Sequence, residues 1–410
     1  MITVSIPFLW GDADGMRIII STRCLINRPA GIGHNTAELV RALSRRGDAS
    51  LLTYPSPTLL AVSRYRENHL GWWKEKLIPP RRWHATDRVA HSLISRAEQW
   101  YIRNHHLQRD TWFTKAKSDV YVEPNHEWMD THLPTVVVIY DLSILKHPEW
   151  HPEKRVRDHR NFFDIALKKA SGFVTISEAI RQELIDYLGV PPHRIGIAPS
   201  SARARMTPGR PASTARNLSR MGLKPGYFLH VGTLEPRKNL ATLVRAWGRL
   251  DASSRKKHPL VLAGGTGWGM DDLEQEISRA PAGLVRLGYV AENDIPTLYH
   301  GAHALTMPTW YEGFGLPVIE MRACGGAVIT SLDPAVREVA GDDTPGIAAN
   351  DEAGWTEALR RAAEDPAWLE PQRRHGPARA AQFTWDKAAD GMIRTCQMAM
   401  GAPLERTAAA

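Results

Sequence analysis

The residues best suited to chemistry lie in the segment 308–320, which reads Pro-Thr-Trp-Tyr-Glu-Gly-Phe-Gly-Leu-Pro-Val-Ile-Glu. It follows an apolar run at 303–307, and the pattern predicts a strand end, a glycine-rich turn and then a helix. Gly313 and Gly315 let backbone N–H groups approach a ligand, and Pro317 suits the first helical turn. Because a helix N-terminus attracts anions, this segment predicts a phosphate site.

Two acidic residues, Glu312 and Glu320, flank the predicted phosphate site. A carboxylate beside an anion would repel it, unless the carboxylate accepts hydrogen bonds from sugar hydroxyl groups. Either acid alone would read as a surface residue. Together with the phosphate site, they predict one ligand that carries both phosphate and sugar, with each acid reaching a different part of it.

Two basic residues stand at a second strand-to-helix junction, the segment 232–240, which reads Gly-Thr-Leu-Glu-Pro-Arg-Lys-Asn-Leu. Arg237 could neutralise a diphosphate through its planar fork, and Lys238 could do so as a point charge. In the first half of the chain, Gly31 and Gly33 fall in a predicted loop at 29–34 and would let backbone approach the same ligand. We predict that these residues share one site.

The elements that must position these residues are strands alternating with amphipathic helices, which is typical of α/β proteins with doubly wound parallel sheets. Strands are predicted at 16–21, 135–140, 172–176, 227–232, 259–263, 284–287 (short and buried) and 303–307, and helices at 35–46, 178–188 (capped by Ser177) and 240–250. Residues 199–225 hold four prolines and no periodicity, so we predict a linker between two domains there. Ligands of open α/β sheets bind at the carboxyl ends of the strands, so two facing sheets can share one ligand in a cleft.

Composition excludes several classes of protein. The 410 residues are 43% hydrophobic and 23% charged, which is ordinary for a globular protein with two or three domains. No apolar run approaches the roughly 18 residues of a membrane span. Three scattered cysteines are too few for a disulfide framework or a zinc site, so we expect reduced thiols and a cytoplasmic location. For residues 1–15 we expect either a loose tail or a true start at Met16.

The surplus of positive charge, +8 overall, concentrates between residues 61 and 117, which hold 12 basic against five acidic residues and five tryptophans. Such a mixture suits the headgroup layer of an anionic membrane, and we name that surface as a partner. A charged helix pair with inward-facing tryptophans explains the segment equally well. Binding of nucleic acid is the third reading, but no nucleic-acid-binding motif supports it, and we predict no such partner.

The segments around Arg237 and Glu312 resemble those of the retaining glycosyltransferases of family 4, which have the GT-B fold of two Rossmann-like domains facing across a cleft. The glutamates of 312–320 have this family's seven-residue spacing. The resemblance implies an N-terminal acceptor domain at 16–200, a linker at 201–225, a nucleotide-sugar domain at 226–382 and a closing helix at 383–400. It is closest to a mannosyltransferase-like branch of bacterial polysaccharide and lipid-linked glycan enzymes.

The resemblance also assigns roles. It implies that Arg237 and Lys238 bind the donor diphosphate, and that Glu320 binds the ribose hydroxyls. It further implies that the transferred sugar contacts Glu312, Gly313, Phe314, Gly315 and Leu316. The base of the nucleotide would be lined by Tyr289 and Val290. In the reaction that we expect, the leaving phosphate helps to deprotonate the acceptor, and Asp141 at most orients it. The branch has His-Asp-Leu where this chain has Tyr140-Asp141-Leu142, and the candidates to replace that imidazole are His34, His126 and His147.

We therefore expect a retaining, metal-independent transferase that needs no cofactor. It would move a hexose, mannose from GDP-mannose by our prediction, to a lipid-linked or growing polysaccharide acceptor such as a polyprenyl-diphosphate glycan. The one Asp-x-Asp triplet of the sequence, Asp12-Ala13-Asp14, falls in the segment 1–15 for which we expect a loose tail, and the two cations can neutralise the phosphates without a metal. Two alternatives stay open at this point: a UDP-sugar transferase with another acceptor, and a non-catalytic nucleotide-sugar-binding protein.

Overall fold

A computed structural model shows the fold in the parts of the chain that it describes, which are residues 15–25, 31–54, 118–209 and 211–401. The basic, tryptophan-rich segment 61–117 and residues 1–14 of the predicted tail lie outside these ranges. Contacts divide the chain into two units. One unit contains Ile139–Asp164 and Thr175–Met392, and the other contains the chain up to Val138, Ile165–Val174 and the chain from Ile393 onward.

The first sheet has, in the described residues, six strands: β1 (Met16–Ser21), β2 (Ala49–Tyr54), β3 (Val120–Glu123), β4 (Thr135–Ile139), β5 (Gly172–Thr175) and β6 (Ile195–Ile197). Their order is β2-β1-β3-β4-β5-β6, and β1 pairs in parallel with both β2 and β3. The order therefore reverses at β1, as in doubly wound sheets. Ile18, Ile19 and Ile20 are fully buried, because helices cover both faces of such a sheet and its strands read as apolar runs.

The second sheet repeats this plan with six strands in the part of the chain that the structure covers: β7 (Tyr227–Val231), β8 (Leu260–Ala263), β9 (Leu284–Gly288), β10 (Ala302–Met307), β11 (Val328–Ser331) and β12 (Gly346–Ile347). The order is β12-β11-β10-β7-β8-β9, with parallel pairing of β7 to both β8 and β10. β7 and β10 are neighbours, so the segments that follow them meet at one edge of the sheet. The prediction of a buried strand at 284–287 is wrong as to burial, because β9 lies at the open edge of the sheet and is half exposed.

The helices of the described residues are α1 (Gly31–Leu43), α2 (Ser143–Lys146), α3 (Glu153–Lys169), α4 (Glu178–Leu188), α5 (Pro211–Arg220), α6 (Leu240–Gly248), α7 (Ala252–Lys257), α8 (Asp271–Arg279), α9 (Ile295–Gly301), α10 (Leu316–Ala323), α11 (Pro334–Ala340), α12 (Glu352–Glu364), α13 (Glu370–Ala380) and α14 (Trp385–Gly401). α6 and α12 pack together, and their Trp247 and Trp355 are fully buried in one apolar cluster with residues of the second sheet. Burial of a large aromatic side chain stabilises a domain by roughly 1.5–3 kcal/mol. These two residues thus fix α6, which begins at the end of the segment 232–240, against α12.

The capping prediction for α4 is confirmed. The Oγ of Ser177 accepts a hydrogen bond from the backbone N–H of Ile180, which satisfies one of the free donors of the first turn. The helix ends at Gly189, whose φ of 64° is left-handed and therefore favours glycine.

Two segments predicted to be irregular contain helices; the loop prediction is wrong, and the linker between two domains stays a prediction. Gly31 and Gly33 do not lie in a loop, because α1 begins at Gly31. Neither glycine has a positive φ. The inner face of the first turns carries small and polar residues such as Asn35 and Thr36, so the apolar periodicity shows only later in the helix. The predicted linker 201–225 contains a regular helix, α5, despite its proline-rich composition.

The last described helix, α14, covers the segment predicted as the closing helix, 383–400, and the boundary between the two units falls within it, after Met392. The domain boundaries predicted at 200 and 226 stay predictions. Among the described helices, none combines the length and the apolar character that crossing a bilayer would require.

Candidate active site

The turn between β10 and α10 holds the two glycines that the sequence analysis emphasised. A Cβ at Gly313 would lie 1.9 Å from the backbone oxygen of Tyr140, so this glycine is required by a close approach within the protein itself. The carbonyl of Gly313 also accepts a 2.7 Å hydrogen bond from Ser177. Gly315 has a φ of 95° and is the N-cap of α10, with Pro317 in the first turn as predicted. The turn is therefore held rigidly, with the helix N-terminus at its end.

Glu312 lies directly before this turn and contacts both predicted cations. Its side chain is 8% exposed; one oxygen accepts from Lys238 Nζ, and the other lies 3.1 Å from Arg237 Nη1. Arg237 also donates from Nε to Glu235 at 2.6 Å. Burial alone would raise the pKa of the Glu312 carboxyl, but the charges of Lys238 and Arg237 hold it below its ordinary value. The structure thus brings together a buried cluster of two cations and two carboxylates.

The cations are positioned by the turn 236–238, a single 3₁₀ turn between β7 and α6. The next residue, Asn239, has a left-handed φ of 54°. Its side-chain nitrogen Nδ2 donates to the backbone carbonyls of Pro308 at 3.0 Å and Ala349 at 2.7 Å. The carbonyl of Arg237 accepts from the backbone N–H of Trp310 at 2.8 Å. These bonds fasten the loop after β7 to the loop after β10, so Arg237, Lys238 and Glu312 face one another.

Asp141 follows β4 and is held by its neighbour. Its Oδ1 accepts from the backbone N–H and the Oγ of Ser143, at 2.9 and 2.7 Å, and that Oγ lies 3.1 Å from Nε2 of His151. Because a carboxylate only accepts, the serine hydroxyl donates to Asp141 and the imidazole donates to the serine. The charge of Asp141 acts on both Arg237 and Glu312. Asp141 therefore belongs to the same electrostatic neighbourhood.

His151 was missed by the sequence analysis, which considered three other histidines. Of those, His147 stacks on Trp150 with ring centroids 3.9 Å apart. His151 is the imidazole that joins the Asp141 chain of hydrogen bonds, and burial together with the charge of Arg155 lowers its pKa. No sequence signal separated it from the other histidines, because its role depends on the distance to Ser143.

A buried tyrosine ties the Asp141 loop to the Glu312 turn. The hydroxyl of Tyr311 donates to Glu183 and accepts from the backbone N–H of Leu142 at 3.0 Å. Burial and the charges of Asp141 and Glu183 raise the pKa of Tyr311, so it stays a neutral donor. These hydrogen bonds thereby fix the loop after β4 and the loop after β10 relative to each other.

Glu320 lies in α10, and its hydrogen-bond partners differ from those of Glu312. Its carboxylate is buried and accepts hydrogen bonds from Arg203 and Tyr299, neither of which the sequence analysis singled out. Arg203 falls in the segment predicted as linker, where several arginines gave no reason to prefer one. The two acids thus have different surroundings, and that each reaches a different part of one ligand stays a prediction.

The remaining predicted site residues are placed as follows. Tyr289 and Val290 follow the edge strand β9, and the Tyr289 side chain is 55% exposed. Phe314 points into the protein and packs edge-on against Phe383, while Leu316 is partly exposed at the start of α10. Gly31 and Gly33 lie in α1, in the other contact unit. Within the described ranges, no group of three or more His, Cys, Asp or Glu residues is arranged to hold a metal ion.

Comparisons with known proteins place these residues in a broader context. Residues 214–382 match the family described as glycosyl transferases group 1. The O-antigen chain mannosyltransferase B of Escherichia coli is 33% identical over 297 residues, which cover 72% of this chain and 78% of that protein. The serotype-specific mannosyltransferase WbdA of the same organism is 27% identical over 281 residues, and the match spans only 34% of its length.

Solved structures support the fold. The complex of Anabaena Alr3699/HepE with UDP and glucose superposes with a TM-score of 0.66 and 16% identity, over 93% of this chain and 99% of that chain. WaaG, a glycosyltransferase involved in lipopolysaccharide biosynthesis, superposes with a TM-score of 0.64 and 15% identity, over 94% and 100%. With the two parallel six-stranded sheets of the described residues, these likenesses confirm the predicted GT-B fold of two Rossmann-like domains.

Proposed function

Because the chain belongs to the glycosyl transferases group 1 and is therefore a glycosyltransferase, we propose that it moves mannose from GDP-mannose to a lipid-linked or growing polysaccharide, with retention of the anomeric configuration. Assignment to family 4 is part of this proposal. The names of the two E. coli relatives support mannose as the sugar and a polysaccharide as the acceptor.

The observation that carries the proposal is the buried contact of Arg237 and Lys238 with Glu312. The difficult step is the departure of a nucleoside diphosphate, which leaves with an extra negative charge on its β-phosphate. Two cations held in a poorly solvated site stabilise that charge more strongly than they would in water. The N-terminus of α10, directly after the Gly313–Gly315 turn, adds a further favourable dipole.

Glu312 has a second task in this scheme. In the ligand-free protein it neutralises Arg237 and Lys238; when the donor binds, the phosphates compete for those cations, and the carboxylate is released to accept hydrogen bonds from hydroxyls of the sugar. In the ligand-free protein Lys238 and Arg237 hold its pKa below the ordinary value, so Glu312 is ionised when the donor arrives. The exchange keeps the buried charges balanced in both states, which avoids the large cost of an unpaired buried ion.

Retention follows if the acceptor attacks from the side on which the diphosphate leaves. The bond between C1 of the sugar and the β-phosphate oxygen breaks, the acceptor oxygen bonds to the same face of C1, and the acceptor proton passes to the departing phosphate oxygen. Asp141, fixed by Ser143, orients the acceptor hydroxyl. Once released from the cations, Glu312 accepts hydrogen bonds from the sugar hydroxyls, a role distinct from that of the covalent nucleophile in a double displacement. The cations also make the proposed reaction independent of a metal ion.

The experiment that tests the proposal supplies the protein with GDP-mannose, GDP-glucose, UDP-glucose and UDP-galactose, each with a mannose-terminated lipid-linked acceptor. We expect product from GDP-mannose, an α-linkage by NMR, and unchanged rates in excess chelator. Product formed only from a UDP-sugar would refute GDP-mannose as the donor. A product with the inverted anomeric configuration would refute retention. Loss of activity in chelator that manganese restores would refute metal independence. Binding without turnover of any donor would favour a non-catalytic sugar-nucleotide-binding protein.

We also propose that the enzyme works in the cytoplasm at an anionic membrane surface, which the basic, tryptophan-rich segment 61–117 contacts. The cysteines in the described ranges, Cys24, Cys324 and Cys396, are free thiols, which supports a reducing compartment. Flotation should occur with vesicles containing phosphatidylglycerol and fall as salt rises. Equal binding to neutral vesicles at high salt would contradict the membrane proposal without affecting the sugar transfer.

A further inference from the structure

Arg203 forms a bidentate ion pair with Glu320, a geometry that requires the planar guanidinium of arginine. Its Nε donates to one carboxylate oxygen at 2.5 Å, and its Nη2 donates to the other at 2.9 Å. The Arg203 side chain is 16% exposed and that of Glu320 is 5% exposed. Two parallel bonds from a planar guanidinium fix both the position and the plane of a carboxylate, whereas a lysine could hold only one oxygen at a time.

Tyr299 completes the support of this carboxylate. Its hydroxyl donates to the same Glu320 oxygen as Nη2 of Arg203, at 2.9 Å, and its side chain is 1% exposed. An ionised carboxylate can accept about four hydrogen bonds, two on each oxygen. Tyr299 and Arg203 fill both positions on Oε2 and one on Oε1. One acceptor position on Oε1 is left by these three bonds.

We propose that Arg203 is a positioning residue that holds the remaining acceptor position of Glu320 toward the ribose hydroxyls of the donor nucleotide. This inference rests on the proposed function and on the role that the family resemblance implies for Glu320, which is to bind the ribose hydroxyls. It makes the site selective for ribonucleotides over nucleotides that lack the 2′- and 3′-hydroxyls. A site built to accept a hydroxyl rejects the analogue without it, because a buried acceptor is then left unsatisfied.

Stability alone is a weak reason for this ion pair. A buried pair often contributes no more to folding than well-packed apolar residues of the same volume. The bonds instead set the direction of the free lone pair, and a shift of the carboxylate would misplace it. Nη1 of Arg203 lies 3.7 Å from Glu292, so the guanidinium is itself oriented from a second side.

The test measures GDP and 2′,3′-dideoxy-GDP binding by calorimetry, with UDP and its dideoxy analogue in parallel. In the wild type we expect the ribonucleotide to bind roughly 10- to 100-fold more tightly than its dideoxy analogue. In Arg203→Lys and Arg203→Ala this ratio should fall toward one, mainly through weaker binding of the ribonucleotide. Because it is a ratio within one variant, partial destabilisation of the fold does not produce it.

The matched control is Arg205→Ala, two residues along the same segment, where the side chain contacts Asn293 instead; its ratio should equal that of the wild type. The variant Glu320→Gln should lower the ratio, and adding Arg203→Ala to it should have no further effect. An unchanged ratio in a folded Arg203→Ala protein that binds GDP or UDP would overturn the role of Arg203. A wild type that binds neither nucleotide would overturn the proposed function and, with it, this inference.

Discussion

Replacing Glu312 with glutamine should separate donor binding from turnover. The substitution removes one charge from the buried cluster and leaves Arg237 and Lys238 with less compensation. Breaking a buried ion pair costs about 3–5 kcal/mol, and the glutamine oxygen can still accept a hydrogen bond, so we expect the lower end, about 3 kcal/mol. For a domain of this size that corresponds to a melting temperature lower by roughly 6–12 °C in the absence of ligand.

The same variant should bind the product nucleotide more tightly, because the phosphates no longer compete with a carboxylate for the two cations. A gain of about 1.4 kcal/mol would appear as about tenfold tighter GDP binding by calorimetry. Turnover of the donor should fall at least about 100-fold, because the sugar loses a charged acceptor. The control Glu357→Gln removes an exposed glutamate paired with Arg360 and should change none of these values. Weaker GDP binding with an unchanged melting temperature would refute the reasoning.

Three further changes test other parts of the structure. Gly313→Ala should abolish transfer and lower stability, because the new Cβ would meet the Tyr140 carbonyl oxygen at 1.9 Å; melting and rate measurements check this, and a fully active, stable variant would contradict it. Ser143→Ala removes a charged hydrogen bond to Asp141, so kcat should fall roughly tenfold while the donor KM stays constant, and a change in donor KM alone would place Asp141 elsewhere. Burial lowers the pKa of His303 to about 4. At a pH below the ordinary histidine pKa, the folded protein therefore binds fewer protons than the unfolded chain, and its free energy of unfolding decreases as pH falls toward 4. In melting curves the stability advantage of the wild type over His303→Gln should therefore shrink between pH 7 and pH 4.5, and a constant difference would contradict this assignment.

The fold was predictable because its signals are local. Strands such as β1 and β10 are apolar runs buried on both faces, and Ser177 is of a residue type that is strongly preferred at a helix start. The errors came where local signals conflict with packing. The glycines of α1 suggested a loop, but tertiary contacts bury its first turns; prolines suggested a linker where α5 forms.

The site was predictable to the extent that it is contiguous in sequence. The residue types of the segments with Arg237 and with Glu312 indicated their chemistry, and the structure explains their proximity, because the two segments follow neighbouring strands. The residues that support them were not predictable in this way. Arg203 acts on Glu320, which lies more than a hundred residues away in sequence, and His151 acts through the hydroxyl group of Ser143. Nothing in the neighbouring sequence distinguishes these two residues from other arginines and histidines.

The most direct test of the account is the binding of GDP to the double variant Arg237→Gln, Lys238→Gln, measured by calorimetry beside the wild type. Both substitutions keep polar side chains, although shorter ones, and remove the two charges proposed to hold the diphosphate. We predict binding weaker by at least about 100-fold, since each buried charge contact contributes about 1.5–3 kcal/mol. A dissociation constant equal to that of the wild type, in a variant that remains folded, would contradict the central claim.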